Sequence, residues 1–204
     1  MHLPFSNGTG KFILLSAICV RKPDLPLQLA KLKMEDALIR SGIDYTIVRP
    51  TAYFWVFDVQ TKRIAQGKAA YVVGTGDQAV HNPISKEELA EFMVSSINNS
   101  ERKNRVFILG GPEVPENIIT YRDSLQMVFA SMGKEPKIVS IPRWVLMAII
   151  HSTWFLGLFF RKFSVFSQFL RNTHYYLEND MRAPGYGSKT LKQYLMDTTR
   201  EPET

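Results

Sequence analysis

The chain has 204 residues, which is long enough for a medium-sized domain with its own hydrophobic core. Hydrophobic residues make up 45% of the chain and charged residues 22%, and these proportions exclude a disordered or fibrous protein. The net charge of +6 arises from scattered lysines and arginines, so it favours an anionic small molecule or an acidic lipid surface over nucleic acid. Cys19 is the only cysteine, which excludes an internal disulfide and a thiolate metal site.

The first ten residues predict an irregular lead-in. Gly8-Thr9-Gly10 invites comparison with a phosphate-binding glycine loop, but such a loop follows a strand and opens a helix, whereas this one precedes a strand. A flexible terminus is therefore favoured. The apolar run after Lys11 has neither the charged flank nor the cleavage site of a secretory signal, and no plastid transit peptide is visible in the chain.

The segment Phe12–Val20 predicts a strand buried on both faces, because its apolar residues are continuous rather than alternating. Asp24 is expected to cap the helix that follows, with Pro26 in its first turn. Gly42 is expected to end this helix in the left-handed conformation. One apolar stripe of the helix is predicted at Ala30, Met34, Ala37 and Leu38.

A second buried strand is predicted at Tyr45–Val48, broken by Arg49-Pro50. A strand, a helix and a strand in this order predict a parallel pair with a right-handed crossover. Ligands of such sheets bind outside the carboxyl ends of the strands. The sequence therefore predicts a site that includes Ser16-Ala17 and Pro50-Thr51-Ala52.

The rest of the chain predicts shorter elements. A helix is expected at Asp58–Gln66, ended by Gly67, and a strand at Tyr71–Val73 followed by a hairpin turn at Gly74–Asp77. Capping boxes at Ser85–Glu88 and at Thr120 with Asp123 open two further helices. The apolar stripe of the first helix is predicted at Leu89, Phe92, Met93 and Ile97. That of the second is predicted at Leu125, Val128, Phe129 and Met132, and this helix is expected to end at Gly133. Two further strands are predicted at Val106–Leu109 and Lys137–Ile141.

The segment Trp144–Phe160 contains no formally charged residue, but His151, Ser152 and Thr153 lie at its centre. A membrane-spanning helix needs about twenty predominantly apolar residues, so this segment is short and polar where lipid is driest. A helix that covers a pocket or core is favoured over insertion into a membrane surface, and a true span is the weakest alternative. Arg161 and Lys162 directly after it would suit an anionic membrane face.

Several motifs in the chain resemble a known family. The sequence reads SAICVRKP, QLAKLKMEDAL and YTIVRPTAYF in its first quarter, and later NPISKEELAEF, ILGGPE, GKEP, NTHYYLENDM and APGYGSKTL. These motifs resemble atypical short-chain dehydrogenase/reductases of the NmrA-like NAD(P)-binding group, and more narrowly the divinyl chlorophyllide 8-vinyl-reductases of chlorophyll biosynthesis.

The resemblance implies an α/β fold, a partial doubly wound, Rossmann-like parallel sheet with a smaller C-terminal α/β substrate cap. Residues 1–66 would form the C-terminal part of the NAD(P)-binding domain, and residues 67–204 the cap region, interleaved with the last sheet elements. The chain contains no G-x-G-x-x-G fingerprint. It is therefore expected to correspond to the C-terminal portion of such an enzyme, with an exposed sheet edge that a protein partner could cover.

The resemblance also implies a particular chemistry. Most short-chain dehydrogenase/reductases have a proton-donating tyrosine four residues before the helix lysine, and here those positions are Leu27 and Lys31. Leucine donates no proton, which argues against carbonyl reduction. Vinyl-reductases of this family also lack that tyrosine, because hydride goes to a carbon–carbon double bond. Lys31 would then orient the ribose of NADPH, although its spacing from Glu35 alone favours an ordinary surface pair.

The implied site contains no confidently assigned catalytic residue and no metal. The cofactor residues would be Ser16, Ala17, Lys31, Pro50, Thr51 and Ala52, and the substrate residues Tyr53, Phe54 and Tyr175.

The function expected from the resemblance is NADPH-dependent reduction of the 8-vinyl group of divinyl chlorophyllide or protochlorophyllide in the chloroplast, in the stroma or associated with the thylakoid. The alternative is a non-catalytic, truncated reductase-like subunit that binds a tetrapyrrole, a partner protein or a membrane, the last through residues 144–162.

Overall fold

The computed structural model describes residues 10–200, so the predicted lead-in before Gly10 lies outside the described residues. Strands and helices alternate along the first two thirds of the chain and helices dominate the last third. The strands are β1 (Phe12–Leu15), β2 (Tyr45–Pro50), β3 (Ala70–Val73), β4 (Val80–His81), β5 (Arg105–Leu109), β6 (Ile119–Thr120) and β7 (Ile138–Ile141). The helices are α1 (Pro26–Arg40), α2 (Asp58–Ala65), α3 (Lys86–Ser95), α4 (Tyr121–Ser131), α5 (Arg143–Gly157), α6 (Arg161–Glu178) and α7 (Leu191–Arg200).

The main sheet consists of three parallel strands in the order β1-β2-β5. Leu15 pairs with Val48, and Pro50 pairs with Leu109, so the carboxyl ends of the three strands lie at one edge. A parallel sheet whose strands are joined through helices is the Rossmann-like arrangement that the sequence predicts. The predicted fold class is therefore confirmed.

The first strand differs from its prediction in length and burial. It ends at Leu15, and Ile18–Arg21 forms a short 3₁₀ helix instead of continuing the strand. Phe12 and Leu15 are 40% and 41% exposed, so the expected burial on both faces is wrong. The reason is that β1 pairs only with β2 and lies at the edge of the described sheet.

The ends of α1 follow elementary helix chemistry, with one exception. Pro26 occupies its first turn and Gly42 has φ +76° just after its last turn, as predicted. Asp24 does not cap the helix. The Gln28 side-chain oxygen instead accepts the backbone N–H groups of Asp24 at 2.7 Å and Leu25 at 3.0 Å.

The buried face of α1 is also different from the predicted stripe. Gln28, Glu35 and Leu38 are buried, whereas Ala30, Met34 and Ala37 are exposed. Glu35 finds its hydrogen-bond partners, Ser16 and Arg49, at the sheet, whereas Gln28 accepts N–H groups at the start of its own helix. Apolar periodicity alone therefore gives the wrong face.

Strand β2 continues through Arg49 and Pro50, so the prediction that these residues break it is wrong. Proline lacks only the N–H group, and its place in the ladder next to Leu109 is maintained by the neighbouring bonds. The Thr51 N–H group donates to the Leu109 carbonyl at 2.9 Å directly after the strand.

A separate hydrophobic core, which we call the C-terminal core, lies around β3 and the helices α2, α4 and α7. Strand β3 pairs in parallel with β7, and β4 pairs antiparallel with β6, so the hairpin predicted after Val73 does not form. The largest fully buried residue of this core is Phe57. Its other buried members are Phe54, Ile64, Ala70, Val72, Ile119, Leu125, Val128, Phe129, Leu191 and Leu195.

The predicted caps of α3 and α4 are present. The Ser85 hydroxyl accepts the N–H groups of Glu87 and Glu88, and Thr120 and Asp123 form a reciprocal capping box. Gly133 ends α4 with φ +62°. Ile97 is 53% exposed, which removes it from the predicted stripe, because α3 ends at Ser95.

Two buried asparagines join the sheet to the C-terminal segments. The Asn82 side chain donates to the carbonyls of Gly111 and Ala183, both at 2.9 Å, and accepts the Ala183 N–H group. The Asn117 side chain donates to the Pro83 carbonyl and accepts the Leu191 N–H group. Buried amides with all of these partners hold the segments that surround the sheet edge in one geometry.

The apolar segment Trp144–Phe160 forms most of α5, which packs against α6. Within residues 10–200, no helix is long and apolar enough to cross a membrane.

Candidate functional site

The carboxyl edge of the main sheet brings together the two predicted loop segments. The Ser16 N–H group donates to the Val48 carbonyl at 2.7 Å, so Ser16-Ala17 lies level with the end of β2. Pro50-Thr51-Ala52 follows on the adjacent strand. The two segments are neighbours because parallel strands present their carboxyl ends at the same edge.

A buried polar cluster of Ser16, Glu35 and Arg49 fixes α1 to this edge. The Ser16 hydroxyl donates to one carboxylate oxygen of Glu35 at 2.5 Å. Arg49 donates to both carboxylate oxygens of Glu35, at 3.1 Å and 2.5 Å. The Glu35 side chain is 3% exposed, so its charge is compensated almost entirely by these two partners.

This cluster was not predicted from the sequence. Glu35 suggested only a surface pair with Lys31, and Arg49 suggested only a strand break. The signal that could have revealed it is a carboxylate on the crossover helix together with an arginine at the end of a buried strand, since a buried charge requires a partner.

Lys31 lies on α1 one turn before Glu35. A helical turn rises about 5.4 Å, so Lys31 shares the helix face of Glu35 and approaches the same edge of the sheet. Its side chain is partly exposed, and among residues 10–200 it forms no ion pair. The surface pair with Glu35 is therefore absent, because Arg49 occupies the Glu35 carboxylate.

Leu27 lies one turn before Lys31 and is 48% exposed. It lines a narrow groove between the start of α1 and α6, together with Gln168, Arg171 and Asn172. The structure thus places no hydroxyl where carbonyl-reducing relatives of the short-chain type need one.

The loop after β2 uses its polar groups internally. The Thr51 hydroxyl donates to the Asn82 carbonyl at 2.7 Å, and the Ala52 carbonyl accepts the Ile84 N–H group at 2.8 Å. Thr51 and Pro50 are buried, whereas Ala52 is partly exposed. These bonds fix the loop. Because the Thr51 hydroxyl is already bound, the loop presents its backbone to the carboxyl edge of the sheet.

Aromatic residues form the other side of the edge. Tyr53 stacks on Trp55 with ring centroids 6.0 Å apart, and burial raises the pKa of the Tyr53 phenol. Tyr176 is 43% exposed, and its pKa is raised by burial and by the nearby Cys19 thiol and phenols of Tyr175 and Tyr53. Because the pKa of each phenol is raised, both Tyr53 and Tyr176 are protonated at neutral pH.

Tyr175 is buried and holds the segment after β1. Its hydroxyl donates to the carbonyls of Cys19 at 3.2 Å and Lys22 at 2.7 Å. Its partner in sequence, Tyr176, packs edge-on against it at 5.8 Å and presents the exposed ring. Of the two rings, that of Tyr176 is the more exposed, and the assignment of Tyr175 as a substrate residue stays a prediction.

Phe54 is 2% exposed and lies in the C-terminal core, 5.1 Å from the ring of Tyr194. Its assignment as a substrate residue stays a prediction, and the partly exposed Tyr53 beside it has more open surface for a ligand.

The site fits only one end of a dinucleotide cofactor. Lys31 has the free ammonium group that ribose hydroxyls require, but a pyrophosphate needs a glycine turn between a strand and a helix N-terminus. Gly110 and Gly111 follow β5, but the side chain of Asn82 and the carbonyl of Pro83 fill the space next to them. Among residues 10–200, the space beside these two glycines is therefore filled by protein and leaves no room for a phosphate.

The histidines give no metal site. Among residues 10–200, no three histidine, cysteine, aspartate or glutamate residues are arranged to hold a metal ion. His81 is partly buried, stacks on the ring of Phe57 and lies 3.3 Å from the Ser124 hydroxyl. Burial lowers its pKa to about 4, so it is neutral and structural at physiological pH.

Sequence comparisons relate the chain to nucleotide-dependent reductases. A family model described as NAD(P)H-binding matches residues 6–100. The chloroplastic divinyl chlorophyllide a 8-vinyl-reductase of Zea mays is 32% identical over 95% of this chain and 52% of its own length. The photosystem II assembly factor Ycf39 of Trieres chinensis is 27% identical over 62% of this chain and 38% of its own length. The chain spans about half the length of the vinyl-reductases it matches.

Structural comparison gives the same fold. An NADPH-dependent quinone oxidoreductase from Escherichia coli, solved in complex with NADPH, superposes with a TM-score of 0.66 over 93% of this chain and 66% of its own length, at 13% identity. At that identity the likeness establishes the fold alone. Together with the similarity in sequence, it confirms the resemblance given by the motifs: the chain is similar over most of its length to the divinyl chlorophyllide a 8-vinyl-reductases, and it has an NAD(P)-binding fold.

Proposed function

We propose that the chain forms the pigment-side part of an NADPH-dependent reductase that acts on the 8-vinyl group of divinyl chlorophyllide or protochlorophyllide. The observation that carries this proposal is the similarity to chloroplastic vinyl-reductases over 95% of the chain. In this proposal residues 1–66 belong to the nucleotide-binding domain, and residues 67–204 form the substrate cap.

In this proposal the cofactor and the residues around the polar cluster have separate roles. When bound, NADPH supplies the hydride. Glu35 holds α1 against Ser16 and Arg49, and this positions Lys31 to donate hydrogen bonds to ribose hydroxyls. Leu27 offers no proton, which suits reduction of a carbon–carbon double bond whose charge spreads over a macrocycle. The partly exposed rings of Tyr53 and Tyr176 offer flat apolar surface to such a macrocycle.

The similarity to chloroplastic relatives also supports a place in the chloroplast, in the stroma or at the thylakoid. A partner protein that covers the free edge of β1, and a peripheral membrane contact through residues 144–162, belong to the same proposal. Phe12 and Leu15 on β1 leave apolar surface at that edge.

A second candidate function is a non-catalytic subunit that binds a tetrapyrrole or a partner protein. The similarity to the assembly factor Ycf39 favours it, as does the lack of a phosphate cradle in residues 10–200. The two candidates differ in whether NADPH is consumed.

The test is an assay of vinyl reduction with this chain joined to a nucleotide-binding segment that carries a glycine fingerprint. The expected result is conversion of divinyl to monovinyl chlorophyllide, separated by chromatography. Lys31→Ala should raise the dissociation constant for NADPH by a factor equivalent to roughly 1.5–3 kcal/mol, the contribution of a charge-assisted hydrogen bond. Lys33→Ala, an exposed lysine on the same helix, is the matched control and should have no effect.

Pigment binding without reduction by the joined protein would favour the non-catalytic candidate. An equal loss in Lys31→Ala and Lys33→Ala would contradict the role of Lys31 at the ribose.

A further inference from the structure

The helices α5 and α6 form a hairpin, residues 143–178, whose buried residues on α5 are Leu146, Ile150 and Thr153. A methyl group on Gly157 would lie 2.9 Å from the backbone of Ser164, so the two helices meet closely at this point. The Ser167 hydroxyl donates across the pair to the Ile150 carbonyl at 3.4 Å. The hairpin is thus held by a small apolar interior, a close backbone approach and one hydroxyl group.

Most large apolar residues of the hairpin, including its tryptophans and phenylalanines, are exposed. Trp144 is 72% exposed and Phe159 is 70% exposed. A helix pair in water normally buries most of its large apolar side chains, whereas this pair buries only a few of them. An apolar surface of this extent marks an interaction site. Its other exposed members are Trp154, Phe155, Leu156, Leu158, Phe160, Phe163, Val165, Phe166 and Phe169.

The charges of the hairpin before Glu178 are all positive. From Arg143 to Leu177 the sequence contains no aspartate or glutamate. Arg161 and Lys162 follow the turn between the helices, and Arg171 lies farther along α6, all exposed. Arg143 is paired with Glu178 at the opposite end of the hairpin, at 2.5 Å. The exposed apolar surface is therefore bordered by positive charge without a compensating carboxylate on the same segment.

We infer that this hairpin docks on the surface of an anionic lipid bilayer, with its connecting turn and aromatic rows inserted between the headgroups. Aromatic side chains combined with lysine and arginine are typical of the membrane interface. The 15 residues of α5 extend about 22 Å, which is shorter than a hydrocarbon core of about 30 Å. The hairpin consequently lies in the interface and does not cross the bilayer.

A second copy of the chain fits this surface less well. A symmetric dimer through the hairpin would bring Arg161 and Lys162 of both copies to one interface without an acidic partner there. An anionic bilayer satisfies both the apolar residues and the charges. The inference deepens the membrane contact of the proposed function but does not rest on reductase activity, because an inactive subunit with this hairpin would dock equally.

The experiment is a vesicle-binding titration of the full chain. The chain contains three tryptophans, and Trp55→Phe leaves only Trp144 and Trp154 of the hairpin as fluorescent reporters. Vesicles of phosphatidylcholine with about a third phosphatidylglycerol should shift the emission to shorter wavelength, and bromine on the acyl chains should quench it. Vesicles of phosphatidylcholine alone should bind much more weakly.

Two sets of substitutions separate the apolar and ionic contributions. Phe159→Ser with Phe160→Ser should weaken binding by about 100-fold, since a buried phenyl ring contributes roughly tenfold or more. Val59→Ser with Val94→Ser removes equally exposed side chains outside the hairpin and should have no effect. Arg161→Gln with Lys162→Gln should weaken binding to anionic vesicles by roughly 30-fold and leave binding to neutral vesicles unchanged.

Three results would overturn the inference. They are the absence of any blue shift or quenching with anionic vesicles, equal binding to neutral and anionic vesicles, and a dimer in sedimentation that Phe159→Ser with Phe160→Ser dissolves. All of the substituted residues are exposed, so a far-ultraviolet circular dichroism spectrum should show each variant folded as the parent is.

Discussion

The β1–α1–β2 unit and the C-terminal core differ in the kind of side chain that they bury. In the C-terminal core, residues such as Phe57 and Leu125 are almost completely inaccessible and contact other apolar side chains. In the β1–α1–β2 unit, α1 directs Glu35 inward and leaves Leu29 and Met34 exposed. The first region is stabilised by apolar burial, and the second depends on a compensated buried charge at the edge where ligands bind.

This difference has a functional meaning. A buried ion pair contributes little net stability compared with apolar packing, but it holds a helix in one orientation if its partners are well placed. Glu35 receives three hydrogen bonds from Ser16 and Arg49, two residues of the carboxyl edge. The region that is expected to bind the nicotinamide end is thus positioned by polar contacts, whereas the C-terminal core supplies stability.

The largest expected effect comes from the C-terminal core. Leu125→Ala should lower the free energy of unfolding by about 3–5 kcal/mol, because it leaves a cavity among fully buried residues. Leu29→Ala, the same change on the exposed face of α1, should alter it by less than about 0.5 kcal/mol. Urea unfolding followed by circular dichroism measures both. Equal losses of unfolding free energy in the two variants would contradict the difference between the regions, since they would show that α1 buries its apolar face.

The next effect concerns the buried carboxylate. Glu35→Ala should cost about 3 kcal/mol, because Arg49 would then be left mostly buried without a partner. Asp36→Ala is the matched control on the next residue, whose pair with Arg40 is exposed, and it should cost less than about 0.5 kcal/mol. The same urea titration applies.

A double variant sharpens this test. Replacing Glu35 and Arg49 together by methionine should recover most of the stability lost in Glu35→Ala, because no uncompensated charge remains. It should nevertheless weaken NADPH binding in the joined protein that carries a nucleotide-binding segment. Recovery of both stability and binding would show that the cluster has no positioning role.

A further effect, which appears only at acid pH, is a pH dependence of the C-terminal core. The pKa of His81 is lowered to about 4 by burial, below the ordinary value of 6.5. The unfolded chain therefore binds a proton as the pH falls below 6.5, while the folded chain does not until near pH 4. Stability should fall across this window by about 1.4 kcal/mol per pH unit from this group. In His81→Gln this contribution should vanish, and identical pH profiles would contradict it.

The sequence predicts the fold better than it predicts the faces of its helices. The order of strands and helices, the end of α1 at Gly42 and the caps at Ser85 and Thr120 follow from local chemistry, and all are present. The burial of Glu35 depends on Ser16 and Arg49, which lie 19 residues before it and 14 residues after it in the chain. Periodicity within one helix contains no information on such partners.

In the candidate site, too, the sequence predicts what depends on strand order but not what depends on contacts between distant residues. Ser16-Ala17 and Pro50-Thr51-Ala52 were placed at one edge correctly, because strand order alone determines it. The position of Tyr176 rather than Tyr175 at the surface depends on how α6 packs against Cys19, a contact between residues more than 150 positions apart. The pairing of β3 with β7 is also long-range, and the local turn at Gly74 suggested a hairpin instead.

The most direct test of the account is a pair of calorimetric titrations of the 204-residue chain, one with divinyl chlorophyllide and one with NADPH. In the proposed function Tyr53 and Tyr176 contact the pigment, and residues 10–200 contain no glycine fingerprint for the phosphates. The proposed function therefore predicts measurable binding of the pigment, weakened by replacing Tyr53 and Tyr176 with alanine, and weak or no binding of NADPH. Micromolar binding of NADPH to this chain, or no binding of the pigment, would contradict it.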